Sequence, residues 1–195
     1  MVKNERKFKE LVLYLVSKFG ERGVVETKLM KLLYFAEAEY FKAQKRTITG
    51  IDYFRNNFGP TPDARVLSRI YSNLGTLIQR EKKVANKKAF TVFRVAKKDF
   101  TYKNLTEREK ETIEKTLKLY GSLPTGRLIT LSHFDPPYLA AQEKKRIDFK
   151  FVFYRKDSEQ DFEEGASADE QKAIAGDISE DNLTRFFDYV GSPSA

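Results

Sequence analysis

The sequence holds one histidine, His133, in the run Leu-Ser-His-Phe-Asp-Pro-Pro-Tyr at 131–138. Serine, histidine and aspartate are the side chains of nucleophilic hydrolysis, and that chemistry needs all three to converge on one point. Ser132 and His133 are immediate neighbours, and neighbouring side chains diverge in any regular backbone. Asp135 is near enough to cap or hydrogen-bond locally in a loop closed by Pro136 and Pro137. The run therefore reads first as a structural histidine, next as an interface residue, and last as a catalyst. A hydrolase would have to pair His133 with a distant carboxylate such as Glu37. There is no Gly-rich phosphate loop, HExxH helix or nucleophile elbow. Without cysteine and with one histidine, thiolate zinc, disulfides, a cysteine nucleophile and a two-histidine metal site are excluded. We expect no catalytic set, no metal and no cofactor.

The run Phe-Gly-Pro-Thr-Pro-Asp at 58–63 could cradle a phosphate, since it turns sharply into an apolar periodic segment. Anion binding at a helix start needs free backbone N–H groups and an unopposed positive field. Pro62 at the first helical position would have no N–H, and Asp63 would already complement the helix dipole. With Thr61 as N-cap, a self-satisfied helix over 62–74 is expected. The corner is architectural.

A helix over 27–44, capped by Thr27, carries the next candidates. On a helical wheel Leu29, Leu32, Leu33, Ala36 and Tyr40 share one side, extended by Met30, Tyr34 and Phe41. So wide an apolar arc marks a central core helix. Glu37 falls inside that arc, where it must be paired or protonated: it is either a buried ion-pair partner or the lining of a partner cleft. Phe35 falls in the opposite stripe, with Lys28, Lys31, Glu39 and Lys42. It either packs under a neighbouring element or stands exposed as an aromatic anchor in a basic patch.

The elements that must position these residues follow from periodicity and punctuation. A helix is expected over 4–19, from the spacing of Phe8, Leu11, Val12, Leu15 and Phe19. Residues 77–95 read as a hairpin turning at 85–88. Thr106 to Tyr120 reads as a helix opened by a Thr-Glu-Arg-Glu capping box. A short helix over 124–132 and a strand at Ile147–Tyr154, where Ile147, Phe149, Phe151 and Phe153 alternate, complete the body. The expected class is α+β and predominantly helical, with a helical core, a small β-hairpin or sheet and a C-terminal accessory helical segment. We divide the chain into a domain at 1–156 and an acidic linker with an amphipathic helix at 157–195, whose apolar face includes Phe186 and Phe187.

Net charge is +8 over 195 residues, but it is unevenly spread. From Asp157 onward 11 acidic residues face Lys172 and Arg185, a balance of −9, so the first 156 residues carry +17. A basic body suits an anionic partner, either nucleic acid or an acidic protein, and the acidic tail could fold back to screen it. The charged start and the lack of any apolar run of spanning length argue against a membrane and place the chain in the cytoplasm.

Three ordered motifs carry a resemblance. Lys28, Lys31, Leu32, Leu33, Tyr34 and Phe35, then Phe58, Gly59 and Pro60, then Leu131, Ser132, His133 and Pro137 together resemble the Panacea, or SocA-like, antitoxin domain over about residues 5–142. Phe58 stands where tyrosine is usual and Tyr138 where many members carry tryptophan. The residues after 145 have no counterpart in the family core. The resemblance implies a non-enzymatic antitoxin that binds and blocks a cognate protein toxin encoded by an adjacent gene. One relative acts as an adaptor delivering its toxin to a protease. The partner-binding candidates are Lys28, Lys31, Phe35, Glu37, Phe58, His133, Phe186 and Phe187.

The alternative is a winged-helix-like DNA-binding regulator. Helices at 4–19, 27–44 and 62–74 followed by a basic hairpin have the right order, although the link between the second and third helices is long for a helix-turn-helix. Arg65, Arg69, Asn73, Lys82 and Lys83 are the candidates for duplex contacts. The two readings are compatible, since an antitoxin can also bind DNA to regulate its own synthesis.

Overall fold

The computed structural model describes residues 3–85, 88–96 and 100–155. The chain divides into two units, Met1–Phe153 and Tyr154–Ala195. The expected C-terminal helix, with Phe186 and Phe187, lies outside the described residues.

Helix α1 (Glu5–Ser17) starts where the Asn4 side chain accepts the Lys7 amide. A two-residue strand β1 (Val24–Val25) leads directly into α2 (Glu26–Gln44), which makes Val25 the N-cap position; Thr27, the cap expected from sequence, is already inside the helix. Helix α2 ends at Lys45, which adopts the left-handed conformation at φ 59 and donates its N–H to the Phe41 carbonyl. Leu29, Leu32, Leu33, Tyr34, Ala36 and Tyr40 are all buried, as the wheel required. Burial extends right round the helix, however, to Lys31 and Phe35. The cause is enclosure: α1, α4, α5, β3 and β5 all pack on α2.

Between α2 and α3 the sequence led us to expect a long link and a corner. The chain instead forms a two-stranded antiparallel ribbon, β2 (Tyr53–Asn56) and β3 (Gly59–Pro62). Prolines are tolerated in strands only where no ladder hydrogen bond is needed. Pro60 and Pro62 face Arg55 and Tyr53. Arg55 directs its N–H and C=O to Lys145 and Lys144, and Tyr53 directs its C=O to Ile147. Neither proline is therefore asked for a proton. Helix α3 (Ala64–Leu74) starts two residues later than expected: Asp63 is the N-cap, accepting the Arg65 and Val66 amides. The corner is architectural, but as a strand and not as a helix start.

The hairpin β4 (Ile78–Ala85) and β5 (Lys88–Val95) pairs in the expected register around the turn, and β1 adds to its far side to give the sheet order β1-β5-β4. Helix α4 (Glu107–Tyr120) carries the expected capping box between Thr106 and Glu109. Helix α5 (Thr125–His133) follows, then α6 (Pro136–Ala140), which the double proline had hidden.

The expected strand at Ile147–Tyr154 is overturned. Arg146 and Ile147 touch β2, but Phe149–Tyr154 form a 3-10 helix. Asp148 causes the change, its carboxylate accepting the Lys150 amide and its carbonyl the Phe151 amide. Such a local bond offers the backbone an alternative to a ladder. The buried pair is then Phe149 and Val152, at the three-residue spacing of a 3-10 helix, and Phe151 and Phe153 turn outward. The class is as the sequence indicated, α+β and predominantly helical.

Candidate partner-binding site

Lys31 begins as a lysine on the polar stripe of α2 and ends 1% exposed. Its ammonium donates to the Phe58 carbonyl and lies 3.5 Å from that of Pro60. Burial lowers its pKa to about 7.

The acceptors belong to the β2–β3 turn, and the other chemistry-bearing residues meet at the same place. His133, at the end of α5, places Nε2 3.3 Å from the Asn57 carbonyl and Nδ1 2.8 Å from that of Ile129. Burial holds its imidazole below the ordinary histidine pKa, and the Lys31 charge works the same way. Tyr138 of α6 donates its hydroxyl to the Asn56 carbonyl at 2.9 Å and meets the His133 ring edge-on at 4.9 Å. Arg55 lies over the Tyr138 ring and donates to the Ala141 carbonyl at 2.8 Å. The carbonyls of residues 56, 57, 58 and 60 thus each face a side-chain hydrogen-bonding group.

Gly59 makes this possible. Its φ of +91° is accessible mainly to glycine, and an added Cβ would fall 2.5 Å from Lys31 Nζ, 2.9 Å from His133 Cε1 and 3.0 Å from Ser132 Oγ. Above the clamped turn, Phe58 is 74% exposed.

The lysine-leucine helix, the Phe-Gly-Pro turn and the Leu-Ser-His element, far apart in sequence, therefore converge on Gly59. A family model described as the SocA-like antitoxin Panacea domain matches residues 29–137. The chain belongs to that family. The matched span is more than half of the chain and contains most of α2, the clamped turn and all of α5. A comparison with curated proteins gave no significant match. As a Panacea domain the chain carries an antitoxin-type fold, and the residues that unite the family motifs are those of the clamp.

Other expected site residues lie elsewhere. Lys28 donates to the Leu123 carbonyl at 2.7 Å and sits over the Phe19 ring. Phe35 is not an exposed anchor: it is 3% exposed and stacks on Tyr120 of α4 at 4.3 Å. Among the described residues Glu37 has no ion-pair partner, and it is fully buried rather than lining a cleft. Its carboxylate accepts the Ile48 and Thr49 amides and the Thr49 hydroxyl, pinning the chain after α2. Burial raises its pKa to about 7, against the pull of those donors. Glu37 holds residues 48 and 49, His133 faces the Asn57 and Ile129 carbonyls, and the Ser132 hydroxyl donates to the Ile129 carbonyl at 2.8 Å.

The duplex candidates form a second, separate group. Arg65, Arg69 and Asn73 lie on the exposed side of α3, Lys82 is exposed on β4, and Lys83 is half-buried beside Glu81. Among the described residues no cluster of His, Cys, Asp or Glu could hold a metal, and no helix is long and apolar enough to cross a membrane.

Sequence reasoning missed Glu10. Its buried carboxylate accepts the amides of Lys103, Asn104 and Leu105, as Glu37 does those of Ile48 and Thr49. The signal was there, since Glu10 directly precedes the core residues Leu11, Val12 and Leu13 on a helix.

Proposed function

We propose that this Panacea domain is an antitoxin that neutralises a cognate protein toxin by direct binding, with Phe58 as its anchor and occlusion of the toxin's substrate site as its mode of action. The observation that carries this reading is the 74% exposed Phe58 on a turn whose carbonyls are bound by Lys31 and Tyr138, with the His133 ring beside it. Hot-spot residues are typically large, and aromatic rings are enriched among them. The chain acts by binding, in keeping with its family and with the engagement of Lys31, Ser132 and His133 in backbone hydrogen bonds. The partner is a protein toxin encoded next to this gene, met in the cytoplasm, with the basic body and the acidic C-terminal segment steering the encounter.

The test is co-expression with the product of the adjacent gene, scoring growth rescue and co-purification on a tag carried by this chain. Rescue with a stable complex, lost in Phe58→Ala, supports the reading. Rescue that survives Phe58→Ala with undiminished affinity removes Phe58 as anchor, and toxicity without rescue removes the pairing.

A further inference from the structure

A second surface of the molecule is built for a different ligand. Helix α1, strand β1 and helix α2 are followed, after the β2–β3 ribbon, by helix α3 and the hairpin β4–β5. The return strand β5 pairs on one side with β4 and on the other with β1. This is the connectivity of a winged-helix module, in which the third helix and the hairpin form one surface. The link from α2 to α3 holds the ribbon, so the module lacks the tight turn of a simple helix-turn-helix, and α3 is positioned by its own contacts. Val66, Ile70 and Leu74 are buried, and α3 packs on α1. Tyr71 lies 5.1 Å from the Phe93 ring of β5, and Arg80 of β4 sits over the Tyr71 ring at 5.6 Å. Tyr71 thereby joins the helix to the hairpin.

Connectivity alone does not assign a ligand; the surface chemistry must. From Ala64 to Val95 the chain carries eight lysines and arginines against one acidic residue, Glu81. The outward face of α3 presents Arg65, Ser68, Arg69, Ser72 and Asn73, all exposed. Two carboxylates adjoin it. Asp63 is occupied as the N-cap, and Glu5 pairs with Arg69 in an exposed bridge at 2.5 Å, a contact worth little in water and readily exchanged for a phosphate. Lys82 stands exposed on β4. A helix with short polar and guanidinium side chains, flanked by a basic ribbon, matches a major groove with its phosphate walls.

We propose that α3 and the β4–β5 hairpin bind duplex DNA, with Arg65 and Asn73 directed at the groove and Arg69 and Lys82 at phosphates. This site is separate from the Phe58 turn, so one molecule has distinct surfaces for a protein and for DNA.

Anisotropy of a fluorescein-labelled DNA duplex of mixed sequence, about two helical turns long and titrated with the full chain from low to moderate NaCl, tests this. The expected plot of log affinity against log salt has a slope of about −2 or steeper, since Arg69 and Lys82 each neutralise a phosphate and each phosphate contributes about −0.9. Arg65→Glu and Lys82→Glu should each weaken binding at least tenfold. Lys118→Glu, an equal charge change on the exposed face of α4, should alter it less than twofold, and Phe58→Ala should leave it unchanged. Thermal melts confirm that each variant is folded. No binding at the lowest salt overturns the proposal, as does an equal loss from Lys118→Glu, which would mean diffuse attraction to a basic protein. An RNA duplex of the same sequence bound as tightly as the DNA also overturns it, because α3 cannot enter the deep, narrow RNA major groove.

Discussion

The ammonium of Lys31 and the α-carbon of Gly59 are neighbours so close that a methyl group on the glycine would lie 2.5 Å from the lysine nitrogen. A buried cation is solvated by the carbonyls of a turn that only glycine lets approach. The lysine needs the turn for hydrogen bonds, and the turn needs the lysine to satisfy carbonyls withdrawn from water. Each half accounts for the other.

Gly59→Ala is therefore expected to lower stability by about 2–4 kcal/mol, combining a strained positive φ with a collision against buried groups. Gly20→Ala is the comparison. Gly20 also has a positive φ, of +53°, but a Cβ added there would meet nothing within 4 Å. It should cost only about 1–2 kcal/mol, the conformational penalty alone. Urea denaturation of both variants checks the difference, which isolates the contact with Lys31, Ser132 and His133.

Lys31 also predicts a pH dependence. Its folded pKa of about 7 lies below the ordinary 10.5, so between those values the unfolded chain binds more protons than the folded one. Stability must then rise with pH through this window, by up to about 1.4 kcal/mol per unit. Urea midpoints between pH 7 and about 9.5, short of the tyrosine range, should climb in the parent protein. In Lys31→Met the climb should shrink sharply, and an undiminished climb would assign the titration to another group.

Glu37 works in the opposite direction. Burial raises its pKa from 4.5 to about 7, so the folded state holds its proton more tightly and the contribution present below pH 4.5 is lost as pH rises through 7. Glu37→Gln should remove that slope. It should also cost about 1–3 kcal/mol, because the amide group cannot accept from all of the Ile48 and Thr49 donors. Hydrogen exchange at Ile48 and Thr49 should quicken more than exchange within α4.

The legible parts of this fold are those governed by near neighbours. The capping box at Thr106 and Glu109, the β4–β5 register and the apolar arc of α2 are all set within a few residues, where period and punctuation act. Lys31 was misplaced on a polar stripe because its acceptors lie on the turn near Phe58, and a wheel cannot register a partner so far along the chain. Pro62 suggested a helix start for the same reason: its missing proton is harmless in the strand because Tyr53, opposite it, turns its carbonyl toward Ile147. Glu37 and Phe35 were rightly singled out as misfits on the wheel. What each does depends on segments that local pattern does not place, the 48–49 backbone for one and Tyr120 for the other.

The sharpest functional prediction concerns Phe58, because stability and binding should separate there. At 74% exposure its ring contributes little to the fold, so Phe58→Ala should change the unfolding free energy by less than about 0.5 kcal/mol. If the ring is the anchor, the same substitution should weaken the toxin complex at least thirtyfold, a loss of about 2 kcal/mol, measured by calorimetry with the purified partner. Phe58→Tyr, which restores the residue usual in the family, should retain most of the affinity. His133→Ala should act differently, lowering both stability and affinity, since it removes the ring packed against Tyr138 and the Gly59 turn and leaves the Phe58 ring in place. Equal affinity losses from Phe58→Ala and Phe58→Tyr would mean that an aromatic ring at this position is not what the partner recognises, and would remove Phe58 as an aromatic anchor.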